Sequence, residues 1–180
     1  MKLPNENLAL AGFMSTGKNE VGGSIAERTG LRFTDLDQSI VHHYGGKSIK
    51  QIFAECGEPH FRATEHLLAG RVFHEHGQVI SLGGGTFAQP GEDGEEARAM
   101  MLKNALVVWL DVDLPIIRER LAKKHDDRPL AQDPIAMEDL YWERRLYYRQ
   151  AHVTVRIDVE VPVEEVAERV LQAISWKEAA

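Results

Sequence analysis

Two glycines close off the stretch Gly12-Phe13-Met14-Ser15-Thr16-Gly17-Lys18, with a lysine directly after the second. An apolar run at residues 8–14 leads into it, and a segment of helical spacing at 18–29 leads out and stops at Gly30. In that order the backbone can curl with its N–H groups pointing inward, the helix start adds partial positive charge, and Lys18 adds a whole one. This is the pattern of a phosphate-binding loop, with a nucleoside triphosphate as natural occupant. Gly12, Met14, Ser15, Thr16, Gly17 and Lys18 are therefore candidate phosphate contacts. The bare pattern also fits a glycine-bounded turn with a solvated lysine. After Lys18 it calls for Ser or Thr, whose hydroxyl meets magnesium, but the chain has Asn19, which can offer an amide oxygen.

Downstream, short segments at 31–36, 79–82, 105–110 and 153–157 read as strands. Between them, residues 38–44, 48–56, 59–76, 114–123 and 138–150 read as helices, and a last helix begins near Pro162. Strands that alternate with helices predict an α/β fold, a five-stranded parallel sheet with helices on both faces. The uninterrupted apolar strand around Trp109 agrees with a sheet covered on both sides. Ligands of such sheets sit at the carboxyl ends of the strands, which is where the chemically suggestive residues fall.

The chain has 180 residues, 43% hydrophobic and 27% charged, enough to bury a core as one domain over 1–180 without staples. Its 21 basic and 28 acidic residues give a net charge of −7, and no basic run could track a nucleic-acid backbone. A phosphorylated small molecule is still admissible, because a few cations converging in a cleft outweigh the global sum. Cys56 is the lone cysteine, so no intrachain disulfide can form, and a cytoplasmic location is expected. No window reaches the length of a membrane span, so no membrane partner is expected either.

Asp35 and Asp37 close the second predicted strand. Two positions apart on an extended backbone, both carboxylates would face the phosphate cleft, one toward magnesium and one toward a substrate hydroxyl. Capping of the next helix by Asp37 is the alternative. Arg62 follows Phe61 in the helical stretch and could fork onto a carboxylate, although an isolated helical arginine is usually solvated. Gly83-Gly84-Gly85 ends the third strand, where a backbone without side chains can approach a ligand or simply flex. Glu65 lies one helical turn from Arg62 and could hold it. His74 and His76 do not share a helix face and make no joint metal site.

Taken in order, GFMSTGK, FTDLD, GGKSIKQIFAECGEPHFRATE, VISLGGG, ALVVWLD, DRPL and ERRLYYRQA resemble the shikimate kinase family over nearly the whole chain. The resemblance implies a P-loop kinase fold, ATP and Mg2+ as cofactors, and transfer of the γ-phosphate to the 3-hydroxyl of shikimate in aromatic amino-acid biosynthesis. Alternatives are a kinase for another small hydroxylated carboxylic or sugar acid, or a nucleotide-binding homologue that has lost transfer. The resemblance also implies a helical substrate-binding insertion at about 38–76, a mobile lid at about 124–134 and a monomer acting on a small molecule. By matching motifs, Lys18, Asp37 and Arg128 would be catalytic. Asp37, Arg62, Gly83, Gly84, Gly85 and Arg144 would bind substrate, with Phe53 and Phe61 flanking the pocket. Gly12, Met14, Ser15, Thr16, Gly17, Lys18, Asn19, Arg120 and Arg128 would hold the nucleotide, and Asn19 and Asp35 the metal. Arg144 is preferred over Arg145 as second carboxylate ligand, in a segment one residue shorter than the family pattern and without its proline.

Overall fold

The computed structural model describes residues 7–124 and 133–178. Most of the expected lid, residues 125–132 with Arg128 among them, lies outside the described residues. Five strands, β1 (Leu8–Ala11), β2 (Arg32–Asp35), β3 (Gln78–Ser81), β4 (Leu106–Val112) and β5 (Val153–Ile157), form one sheet in the order β2-β3-β1-β4-β5. Every pairing is parallel, with Leu8 beside both Val79 and Leu106. The helices are α1 (Lys18–Thr29), α2 (Leu36–His43), α3 (Ile49–His74), α4 (Gly91–Asn104), α5 (Leu114–Lys124), α6 (Pro134–Tyr148) and α7 (Val163–Glu178).

β1 runs through the middle of the sheet and all four of its residues are fully buried, as parallel strands covered on both faces must be. α1 packs against α7, and α3 against α4. Right-handed crossovers put the leftward β1-to-β2 connection and the rightward β3-to-β4 connection on opposite faces. The chain therefore reverses direction between β1 and β3, and the carboxyl ends of these neighbours open the crevice where such sheets bind ligands.

Several boundaries differ from the sequence expectation. The first strand stops at Ala11, because Gly12 turns the chain with φ 152°. The second ends at Asp35, and Leu36 already begins α2. The two helices expected at 48–56 and 59–76 form one element with a kink at Gly57, φ 76°. Ser48 opens that element with a reciprocal capping box to Gln51. α6 starts one turn earlier than expected, with Asp133 accepting from the N–H groups of Ile135 and Ala136, and Pro134 in the first turn.

α4 was not expected from the sequence at all. Its residues, GEDGEEARAMMLKN, carry two glycines and weak apolar periodicity, so local propensity argues against a helix. Tertiary contact explains the second glycine: a Cβ on Gly94 would lie 2.0 Å from the Gln89 carbonyl oxygen. Arg98 on the same helix is buried and donates to the carbonyls of Phe87 and Gln89 while its guanidinium stacks 4.6 Å from the Tyr147 ring. Burial lowers its pKa from the ordinary arginine value. α4 is thus held by what it touches, and the turn after β3 is held with it.

Two glycine substitutions separate propensity from packing. Gly94→Ala should destabilise the protein by about 1–3 kcal/mol, since collision with backbone outweighs the helix-propensity gain. Gly70→Ala in α3, where a Cβ meets nothing within 4 Å, should stabilise it by about 0.5–1 kcal/mol. Urea denaturation of both variants checks the pair; a stabilised Gly94→Ala would refute the packing account.

Candidate active site

The loop after β1 is shaped to receive an anion. Ser15 takes a left-handed φ of 58°, uncommon for a residue with a side chain, and its buried hydroxyl has no hydrogen-bond partner. Gly17 is the N-cap of α1 at φ 86° and supplies no side-chain cap, so the first N–H groups of the helix remain available to a ligand. Lys18 folds back over the loop, with Nζ 2.9 Å from the Gly12 carbonyl oxygen and 2.8 Å from that of Phe13. Thr16 is buried and donates to the Phe13 carbonyl at 2.8 Å, bracing the curl from inside.

Beside this loop, a cavity of about 210 Å³ is lined by Ser15, Gly17, Arg120, Val161, Val163 and Val166 among others. Arg120 is held flat there by both oxygens of Glu160 and donates to the Ser15 carbonyl at 3.2 Å. Apolar valines facing a fixed guanidinium plane make a slot suited to a planar, partly apolar group.

On the other side of the loop the triple glycine explains itself by space. None of Gly83, Gly84 and Gly85 has positive φ, so backbone freedom is not the requirement. A Cβ on Gly83 would lie 2.5 Å from Asp37 Oδ1, and one on Gly84 would lie 3.4 Å from the Met14 N–H nitrogen. A Cβ on Gly85 would lie 3.0 Å from both terminal nitrogens of Arg62 and 3.2 Å from Nη2 of Arg144. The glycines make room for one carboxylate and two guanidinium groups next to the phosphate loop.

Each arginine is held by a dedicated partner. Arg62 donates to Glu65 at 2.7 Å and, through Nε and Nη2, to the more exposed Glu58 at 3.3 Å, and Glu65, itself buried, also accepts from Thr86 at 2.6 Å. The Arg62 guanidinium lies 5.4 Å from the Phe61 ring and 6.0 Å from that of Phe53, a cation–π floor. Arg144 lies 5.7 Å from the Phe13 ring and hydrogen-bonds Tyr148. Tyr148 donates in turn to the Gly84 carbonyl. Burial pushes its phenol above the ordinary tyrosine range against the pull of Arg144, so it stays a neutral donor.

Arg145, the alternative to Arg144, is removed from the crevice by the structure. It pairs with Asp111 through both terminal nitrogens, donates to the Tyr141 hydroxyl at 2.7 Å, and is packed by Trp109, Tyr141 and Trp142 at 4.9, 5.2 and 5.5 Å. Asp111 is buried and also accepts from Arg156 at 2.8 Å. The sequence marked neither Asp111 nor Tyr148; a lone Asp at a strand end and one Tyr among several carry no distinguishing pattern.

The two aspartates are not arranged as extended alternation predicts. Asp35 ends β2 and caps α2, accepting from the Gln38 N–H at 3.2 Å, whereas Asp37 stands in the first turn of the helix. Capping thus falls to Asp35 and not to Asp37. Helical geometry sends Asp37 toward Gly83, while Asp35 Oδ2 accepts from Asn19 Nδ2 at 2.7 Å. The pair divides between the glycine loop and the end of the phosphate loop.

A phosphate loop entering a helix from the central strand of a 2-3-1-4-5 parallel sheet, with an anion-binding crevice beside it, defines a P-loop kinase. The comparisons with known proteins narrow the class. The family model for shikimate kinase matches residues 14–175. A shikimate kinase from a Sulfurihydrogenibium species is 36% identical over 94% of this chain and 98% of its own length. Among solved structures, the shikimate kinase from Acinetobacter baumannii in complex with shikimate superposes with a TM-score of 0.86 at 28% identity, covering 97% of this chain and 95% of that one. The shikimate kinase from Aquifex aeolicus superposes with a TM-score of 0.82 at 29% identity, covering 97% and 99%. The chain belongs to the shikimate kinase family. Among the described residues, no helix is long and apolar enough to cross a membrane.

The division between the two neighbouring arginines is testable without substrate. Asp111→Ala strands Arg145 in an aromatic cage and should cost about 3–5 kcal/mol of stability by urea denaturation. Arg144→Ala, which empties a half-buried crevice position, should cost less than about 1 kcal/mol. Equal losses would refute the assignment of Arg145 to structure and Arg144 to the crevice.

Proposed function

We infer that this protein transfers the γ-phosphate of ATP to shikimate, at the 3-hydroxyl. One observation carries the inference: a phosphate loop and a pair of carboxylate-grade arginines open onto one crevice, separated by a glycine run and one aspartate. Phosphoryl transfer demands alignment and charge neutralisation more than covalent chemistry, and this arrangement supplies both.

Arg62 and Arg144 fork onto the substrate carboxylate and fix the ring, with Gly83, Gly84 and Gly85 leaving space for it. Asp37 accepts a hydrogen bond from the hydroxyl that is to be phosphorylated and aims its oxygen at the γ-phosphorus. Lys18 leaves the carbonyls of Gly12 and Phe13 for the phosphate oxygens, where the charge it meets is larger. The backbone amides of 12–18 hold the phosphate chain, and Arg120 with the valines of the neighbouring slot takes the base. Residues 38–76, which follow Asp37 and supply Arg62 and the two phenylalanines, serve in this scheme as the acid-binding insertion.

Magnesium belongs to the same proposal, and Asp35 is the donor that suits it. Asp35 offers a hard carboxylate beside the loop, and Mg2+ is commonly held by one or two carboxylates plus the phosphates of its nucleotide. Such a site needs no protein cage, and among the described residues no group of three or more His, Cys, Asp or Glu forms one. When bound, the ion neutralises charge on the phosphate oxygens.

A coupled ADP-release assay with ATP, Mg2+ and shikimate should show shikimate-dependent turnover. Arg144→Ala should raise KM for shikimate by roughly 10- to 100-fold, the worth of a charge-assisted hydrogen bond. The methyl ester of shikimate should be penalised by a similar factor in the parent enzyme. Turnover with another hydroxylated acid and none with shikimate, or equal use of acid and ester, would overturn the assignment.

A further inference from the structure

The residue after the P-loop lysine is where this chain leaves the pattern, and its surroundings are specific. Asn19 is exposed, but neither end of its amide is idle. Nδ2 donates to Asp35 Oδ2 at 2.7 Å, and Oδ1 accepts from the hydroxyl of Ser81, a buried residue at the carboxyl end of β3. The orientation is unambiguous, because an ionised carboxylate only accepts, so the amide nitrogen must face Asp35 and the oxygen must face Ser81. Asp35 Oδ1 is engaged as well, by the Gln38 N–H at the start of α2.

A hydroxyl at position 19 could donate to Asp35 and still turn a lone pair toward a cation. The amide cannot do both with one atom. Its Oδ1 keeps a second lone pair, but the contacts at both ends fix where that oxygen points: turning it toward an ion elsewhere breaks the Ser81 contact, and a full flip sets an amide oxygen against the Asp35 carboxylate until the ion arrives. Asn19 Oδ1 is thus held by Ser81, and Asp35 Oδ2 by the Asn19 amide nitrogen, before any nucleotide binds.

We propose that Asn19 replaces a metal ligand by an amide clamp between Asp35 and Ser81, so that nucleotide binding in this protein depends only weakly on divalent metal. The proposal rests on the nucleotide assignment made above, and it concerns binding, separately from turnover. Coupling between two ligands is reciprocal and is read as a ratio of affinities.

The test is isothermal titration calorimetry of the full chain with ADP, once in excess MgCl2 and once in EDTA. The parent protein should show a ratio below about 3-fold, whereas Asn19→Ser should raise it to about 10-fold or more, within the usual span of ligand coupling. Ser81→Ala releases Asn19 Oδ1 and should raise the ratio also, without adding any ligand of its own. A parent ratio as large as that of Asn19→Ser overturns the clamp. So does a ratio that falls in Ser81→Ala, which would make Ser81 a metal ligand. ADP binding in neither condition would instead overturn the nucleotide assignment, leaving the two failures distinguishable. Thermal melts of each apo variant separate loss of coupling from loss of fold.

Discussion

A methyl group on Gly12 would sit 2.9 Å from the Leu110 carbonyl oxygen and 3.1 Å from the Thr16 hydroxyl, and the backbone there has φ 152°. The turn out of β1 is possible only because that space stays empty. From it follow the buried Thr16 brace, the left-handed Ser15, the uncapped start of α1 and the position of Lys18 over the loop. Since β1 lies between β3 and β4, the same turn fixes where the neighbouring strand ends must deliver their side chains. β3 delivers a glycine run and β2 an aspartate pair, both on the side where the chain changes direction.

Four arginines near the sheet end illustrate how environment assigns roles to one side chain. Arg145 and Arg98 are taken up by the body of the protein, the first by Asp111 and three aromatic rings, the second by two carbonyls and Tyr147. Arg62 is held by Glu65 and Glu58 and Arg144 by Tyr148, and the terminal nitrogens of both lie near Gly85. A guanidinium has five donors in a fixed fork, so one edge can be anchored while another stays open to a ligand. Glu65 also has its second oxygen occupied by Thr86, and a carboxylate with both oxygens satisfied fixes its arginine without competing strongly for a second position.

The phosphate loop, the parallel sheet and β5 were legible in the sequence, because glycine spacing, apolar runs and the apolar-polar alternation of β5 are local signals. α4 was not, since Gly94 is required by contact with Gln89 and lowers the very propensity that would announce a helix. The early start of α6 could have been read from Asp133-Pro134, a cap followed by a first-turn proline. The geometry of Asp35 and Asp37 was lost to an error of one residue in the strand end: once Leu36 becomes helical, alternation no longer governs direction. Arg144 and Arg145 differ only in which way α6 presents them, and helix phase is a property of packing that adjacent identical letters cannot encode. Tyr148 escaped for the same reason.

The protein carries a net charge of −7 and yet is built to hold two anions together, which local electrostatics resolves. Long-range repulsion is screened within about 10 Å at ordinary ionic strength, so the surface excess of acid slows encounter only modestly. Around the phosphate loop, Lys18, Arg62, Arg120 and Arg144 converge from four elements, α1, α3, α5 and α6, in addition to the loop amides. Each is engaged beforehand with a carbonyl, a carboxylate or a phenol, which spares the empty site the cost of crowding unpaired cations. The carbonyl partners of Lys18 are neutral and easily exchanged for phosphate oxygens, whereas Glu65 and Glu160 carry full charges and remain as counter-ions after a ligand enters. The nucleotide side therefore gains most of its charge complementarity on binding, and the acid side has it arranged in advance.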